Sequence, residues 1–345
     1  MTDLKATPED VRYAYRLLLG REPDETGLQH YQAWVESGDR DPSALAQTIL
    51  ESAEYQAKHQ RHAGIEVTKR SEMDRLPLHS QACSQEQLES PEFRHWAASM
   101  HETPGRLHRK LWEFCFIAQA LHERSLLRGG CRGLGFAVGN EPLPALFASL
   151  GCSILATDLG ADASDATSWI NSNQHADSVA QLNARGLCDP DVFAANVRFG
   201  EVDMRIIPGN LRGFDFLWSS CALEHLGTLQ LGMDFVWKAM ACLQPGGVAV
   251  HTTEFNCDSN DATIETGSGV IYRRRDLEAL VARLREAGHE VEPLDFYLGE
   301  SDADRYVDEP PYQEMPHLKL RLGPFASTSF GLIVRKGGTP ESVNT

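Results

Sequence analysis

Three glycines and one aspartate carry the first chemistry that can be read from the chain. Gly133, Gly135 and Gly139 fall within CRGLGFAVGNEP, and Asp158 closes the apolar run SILAT that follows. Glycine lets a backbone approach a ligand closely, and an acid after the second strand of such a unit can bind both hydroxyls of a ribose. The spacing is G-x-G-x-x-x-G rather than the dinucleotide G-x-G-x-x-G, so the ligand need not be NAD. Leu159, next to Asp158, is placed at the same edge. A second group follows in FDFLWSSCALEH, where a buried strand ends at Ser219 and Ser220 and a short segment ends at Glu224 and His225. Ligands of open α/β sheets bind beyond the carboxyl ends of the strands, which puts Ser219, Ser220 and His225 beside a cofactor. His225 and His251 each follow a strand, and imidazole titrates near neutrality, so both are general-base candidates, with Glu254 close behind.

The elements that must position these groups alternate. Strands are expected at 131–135, 152–157, 197–202, 214–219, 247–253, 291–297 and 328–335, with helices around 141–150, 178–186, 230–243 and 275–287. Such alternation predicts an α/β fold, a doubly wound, mostly parallel seven-stranded sheet with crossover helices. Pro245-Gly246-Gly247 is a sharp turn feeding the buried strand VAVHTT. The last two strands lack a helix between them and predict an antiparallel addition at the sheet edge, joined by the acidic loop 300–317. Leu107 to Leu127 reads as an amphipathic helix packed on the edge of the domain or closing over its ligand.

The first 60 residues predict a separate all-α unit. Thr7-Pro8-Glu9-Asp10 is a helix start, with Thr7 as cap, proline in the first turn and acids beside the positive end of the dipole. Asp41-Pro42-Ser43 opens a later helix carrying Leu45, Ile49 and Leu50. The pattern from Tyr15 to Tyr31, through Leu18, Leu19, Gly20, Arg21, Pro23, Asp24, Gly27 and Leu28, resembles a bacterial domain family of unknown function that is distantly similar to phycobilisome linkers. The resemblance implies an accessory module without chemistry of its own, with Arg21 in a local ion pair.

Of 345 residues, 42% are hydrophobic and the net charge is −17, from 49 acidic against 32 basic side chains. That field repels phosphate backbones and argues against nucleic acid as substrate. The triplet Arg273, Arg274 and Arg275 reads as a solvated helix start. No run of about 18 apolar residues predicts a membrane span, and the N-terminus carries no leader pattern. Eight scattered cysteines without a C-x-x-C pair predict buried thiols in a reducing, cytoplasmic setting.

Taken in order, these motifs resemble a class I S-adenosylmethionine-dependent methyltransferase. Gly133 stands where that family's first motif has an acid, Gly135 and Gly139 match its first and third glycines, and Ala137 replaces the second. The resemblance implies S-adenosyl-L-methionine as cofactor, Asp158 at the ribose, and Asp203 and Met204 at the adenine. It also leaves Glu141 as the substitute for the missing acid. It further implies methyl transfer to a carbohydrate or other small-molecule hydroxyl in glycan or envelope synthesis. Tyr306, Asp308, Tyr312 and His317 of the acidic loop would help choose the acceptor. Asp302-x-Asp304 lacks further ligands at useful spacing, so no metal is expected.

The expected organisation is a helical accessory domain at 1–60, a linker with short helices at 61–105, the methyltransferase domain at 106–337 and a disordered tail at 338–345. Residues 1–60 are expected to recruit a protein partner, with no nucleic acid and no membrane insertion. Two alternatives stand. A decayed methyltransferase fold could serve as an interaction scaffold, given Gly133 and Ala137. An NAD(P)-dependent oxidoreductase would want the other glycine spacing.

Overall fold

In the computed structural model, residues 6–16, 21–36, 42–50, 52, 54, 77–160 and 179–338 are described. The chain divides into two units, Met1–Leu76 and Pro77–Thr345. The expectations for Leu18, Leu19, Gly20, the 61–76 part of the linker and the tail beyond residue 338 lie outside the described residues.

The described residues of the first unit include the helices α1 (Pro8–Ala14), α2 (Glu25–Glu36) and α3 (Pro42–Leu50). Thr7 and Asp10 close a reciprocal capping box at the start of α1: Thr7 N–H donates to Asp10 Oδ2 at 2.7 Å, and Asp10 N–H donates to Thr7 Oγ1 at 3.4 Å. Val11, Tyr15, Leu45 and Ile49 pack as its core. Arg21 pairs with Asp24 at 3.3 Å and also with the more distant Glu54 at 2.6 Å, while its guanidinium lies over the Tyr15 ring.

The second unit is an α/β sheet. In chain order it contains β1 (Ser80–Ala82), α4 (Gln85–Glu89), α5 (Pro91–Ser99), α6 (Arg109–Glu123), β2 (Arg132–Phe136), α7 (Leu143–Ser149), β3 (Ser153–Asp158), α8 (Pro190–Asn196), β4 (Val197–Glu201) and β5 (Phe214–Ser220). It continues with α9 (Leu229–Ala239), β6 (Leu243–Asn256), α10 (Arg274–Glu286), β7 (Glu290–Val291), β8 (Leu294–Asp295), α11 (Asp302–Arg305), β9 (Val307–Asp308), β10 (Lys319–Leu322) and β11 (Phe325–Arg335). The strand order is β4-β3-β2-β5-β6-β11-β1-β8. Strands β4 to β6 run parallel, and β11 lies antiparallel to β6 over nine residue pairs from Ser327↔Asn256 to Arg335↔Val248.

Alternation along the strands divides the core. Phe216, Trp218, Val248 and Val250 face the side covered by α6 and α7, whereas Leu217 and Ala249 face the side covered by α9 and α10. Helix α6 packs on the face of the sheet against β11, β6 and β5 rather than on its edge, and every residue from Leu111 to Leu121 is buried.

Two expectations change. The described sheet has eleven strands rather than seven, because β1, β9 and β10 are two to four residues long, too short to show a period, and the strand expected at 291–297 is broken into β7 and β8. The stretch expected as a linker with short helices carries α4 and α5 and also supplies β1, which pairs with β11, so the antiparallel strand is interior rather than at the edge. The arginine triplet opens α10, Arg273 bonding Asp276 and Arg274 pairing with Glu278. No helix among the described residues is long and apolar enough to cross a membrane.

Candidate functional site

The turn after β2 and the end of β3 are tied together. Thr157 Oγ1 donates to the Gly135 carbonyl at 2.7 Å, and Val138 N–H donates to the Thr157 carbonyl at 3.1 Å. The Asp158 carboxylate accepts the Gly139 N–H at 3.0 Å through Oδ2 and the Leu159 N–H at 2.8 Å through Oδ1. A planar carboxylate is a group that can accept both hydroxyls of a vicinal diol. Gly139 has φ +48°, and so does Ala137, where a Cβ costs about 1–2 kcal/mol. The turn thus keeps its left-handed shape without the second glycine. Ala137, Gly139, Glu141, Asp158 and Leu159 border one cavity of about 340 Å³ at the carboxyl ends of the parallel strands.

Gly133 and Gly135 do not border it. A Cβ at Gly133 would meet the Phe216 ring at 2.4 Å, and one at Gly135 would meet Trp218 Cζ2 and Val138 Cγ1 at 2.5 Å. Their role is to make room for two aromatic side chains of β5, which also explains why no acid occupies position 133. Trp218 in turn donates its indole N–H to Glu141 Oε1. Burial pushes the Glu141 carboxyl up to about 8, against the opposing pull of the Trp218 hydrogen bond and the Lys110 ammonium. Substituting Gly135→Ala should cost about 1–3 kcal/mol in urea unfolding, as overpacking does. Native stability would mean that the Trp218 ring has space to retreat.

Asp203 and Met204 border the cavity from the segment after β4. Arg205 holds both oxygens of Asp203, Nε reaching Oδ1 at 3.0 Å and Nη2 reaching Oδ2 at 2.9 Å, which keeps that carboxyl below its ordinary range. An adenine amine would therefore share Asp203 with Arg205.

The second group of expected residues separates in space. Ser220 and His225 border the cavity; Ser219, His251 and Glu254 do not. Strand β6 runs on to Asn256, so His251 lies inside it, fully buried, with Nδ1 2.8 Å from Ser219 Oγ and Nε2 without a partner. Glu254 is ion-paired with Arg109 and accepts from Ser327 Oγ at 2.6 Å. Neither is placed to take a proton from a ligand in the cavity. Burial pulls His251 down to about 3. The unfolded imidazole gains its proton below about pH 6.5, so stability is full above that pH and is lost as the pH falls toward 3. His251→Asn should shift acid unfolding, followed by circular dichroism, to lower pH; an unmoved midpoint would assign the acid limb to another group.

His225 follows β5 in a 3-10 turn, Leu223–His225, and its Nδ1 lies 2.6 Å from the Ser268 carbonyl oxygen. A carbonyl only accepts, so in the neutral ring Nδ1 carries the proton and Nε2 holds the lone pair. Lys110, from the first turn of α6, also borders the cavity; its ammonium donates to Glu113 Oε2 at 2.9 Å. Lys110 and Trp218 were missed in the sequence, where nothing links them to Glu141. The acidic loop forms its own cluster away from the cavity. Buried Asp308 accepts from His317 Nδ1 at 2.7 Å, the His317 ring lies 4.6 Å from that of His108, and Tyr312 donates to the Arg321 carbonyl. Tyr306 Oη accepts from Gln313 Nε2. Asp304 caps α11 and accepts Gln85 N–H, a local structural role.

Residues 6–59 match the family model described as a domain of unknown function, DUF4214. No curated protein matches the chain. Among solved structures, the chain is similar to an S-adenosylmethionine-dependent methyltransferase from Mesorhizobium loti, at 16% identity over 64% of this chain and 98% of that one, TM-score 0.38. It is similar to another from Clostridium acetobutylicum ATCC 824, at 15% identity over 67% and 92%, TM-score 0.37. The [4+2]-cyclase SpnF is also similar, at 17% identity over 76% and 100%, TM-score 0.43.

Proposed function

We propose that the second unit is an S-adenosylmethionine-dependent methyltransferase whose cofactor lies in the 340 Å³ cavity. One observation carries this reading: Asp158, Glu141 and Lys110 border the same cavity with complementary demands. Asp158 is suited to a diol, Glu141 to an ammonium and Lys110 to a carboxylate. A nucleoside joined to a zwitterionic amino acid meets all three, and Met204 offers an apolar wall for its base. When bound, that cofactor supplies an electrophilic methyl group on sulfonium sulfur.

The protein's task is then alignment, with proton removal where the acceptor is a hydroxyl. His225 is the base in this reading, because it borders the cavity and the Ser268 carbonyl fixes the tautomer that puts the lone pair on Nε2. The acceptor we propose is a hydroxyl of a carbohydrate or other small molecule. Residues 1–60 would recruit a partner, so their deletion should leave turnover of a small acceptor intact; lost turnover in a folded truncation would refute that.

The test is calorimetric titration of S-adenosylmethionine into the native chain and into Asp158→Ala. Micromolar binding that disappears in the variant supports the enzyme. No binding by folded native protein would favour the scaffold reading, motivated by Gly133 and by Ala137 in place of glycine.

A further inference from the structure

Beneath the cavity, α6 and the ends of β5, β6 and β11 enclose an unusually charged interior. Three carboxylates meet two cations there. Glu113 takes Lys110, and Glu254 takes Arg109. Glu224, wholly buried, has no ion-pair partner among the described residues. Its Oε2 accepts from Thr253 Oγ1 at 3.1 Å, while Oε1 is buried and accepts nothing. An unsatisfied carboxylate oxygen in such a place is costly, and a cation bound there would remove the cost. Cys221 stands beside it and also borders the cavity. One ligand atom each from Cys221, Glu224 and Glu254 lie within 4.8 Å of one another.

We infer that Cys221, Glu224 and Glu254 form a binding site for a divalent transition-metal ion of the zinc type. A thiolate selects such an ion over magnesium or calcium, and carboxylates complete the set. On binding, the Cys221 thiol and the Glu224 carboxyl each release a proton to solvent; the resulting thiolate and carboxylate neutralise the ion, and the Lys110–Glu113 and Arg109–Glu254 pairs stay intact. Glu254 already serves Arg109 and Ser327, so it is a shared ligand and Cys221 with Glu224 supply most of the affinity. Three protein ligands leave a coordination position open, the arrangement of zinc sites that act on a substrate. Cys221 borders the cavity, so that position is reached from the acceptor's side, where the ion would hold an acceptor hydroxyl. Only this last role rests on the methyltransferase reading; metal binding does not.

Cobalt(II) added to the metal-free full chain should produce a near-ultraviolet thiolate-to-cobalt charge-transfer band of one-to-one stoichiometry. The band should vanish in Cys221→Ser and persist in Cys257→Ser. Glu224→Gln should weaken zinc binding by at least about tenfold in calorimetry, within the range seen when groups supporting a metal site are removed. No band in the native protein, or a band that survives Cys221→Ser, overturns the site. If Cys221→Ser does not fold, unchanged zinc affinity in folded Glu224→Gln overturns it instead. Neither measurement uses S-adenosylmethionine, so the two readings fail separately.

Discussion

Replacing His225 with glutamine lowers turnover on a hydroxyl acceptor by about 10²–10⁴-fold, the worth of a positioned general base. The expectation rests on one geometry. Nδ1 is committed to the Ser268 carbonyl, and the ring borders the cavity where the methyl group would be presented. Glutamine can still donate to that carbonyl but is far less basic, so the loop stays in place while proton removal fails. Cofactor affinity should change much less than turnover. Turnover within a few-fold of native would remove His225 from the mechanism and leave it the task of ordering its loop.

Substitution of Glu141 by glutamine should separate binding from stability. A charge-assisted hydrogen bond to a ligand ammonium is worth about 1.5–3 kcal/mol, so the variant should bind S-adenosylmethionine roughly 10- to 100-fold more weakly. The same change should stabilise the ligand-free protein in mild alkali. Burial raises the folded carboxyl to about 8, so between the ordinary carboxylate range and pH 8 the folded state holds a proton that the unfolded chain has lost. Stability therefore falls as the pH rises through that window, and a neutral amide escapes the loss, on the order of a few kcal/mol. Native affinity should rise as the pH climbs toward 8, because binding the ammonium expels the Glu141 proton. Calorimetry in two buffers of different ionisation enthalpy measures that proton. Its absence would mean that Glu141 does not meet the cofactor's amine.

Much of this was legible in the sequence, for identifiable reasons. Strands β2, β3, β5, β6 and β11 are largely buried on both faces, so they read as apolar runs with ends placed within a few residues. Asp158 was legible because it follows such a run. Two kinds of information were not. Strands of two to four residues have no period, which hid β1, β9 and β10 and the break of 291–297 into β7 and β8. The true end of β6 was hidden as well, because the polar run His251-Thr252-Thr253-Glu254 resembles a strand leaving the core. It continues instead to Asn256 within a buried polar interior, which put His251 inside the sheet and away from the cavity. Pairings across long separations were also illegible. Trp218 reaching Glu141, and Glu113 reaching Ser329, depend on the sheet already being assembled.

The strand Ser80–Ala82 has a consequence for how the chain is made. It is among the first parts of its unit to be synthesised, yet it pairs with β11, the last strand; Ile333 N–H donates to Ser80 Oγ across 253 residues. At about 5–20 residues per second, those partners leave the ribosome on the order of 10–50 s apart. Once β6 has emerged, its outer edge stays bare until β11 follows, and an unpaired edge invites pairing with other chains. Completion of the sheet thus waits for the synthesis of β11, and the nascent protein should depend on a holding chaperone more than its finished fold would suggest.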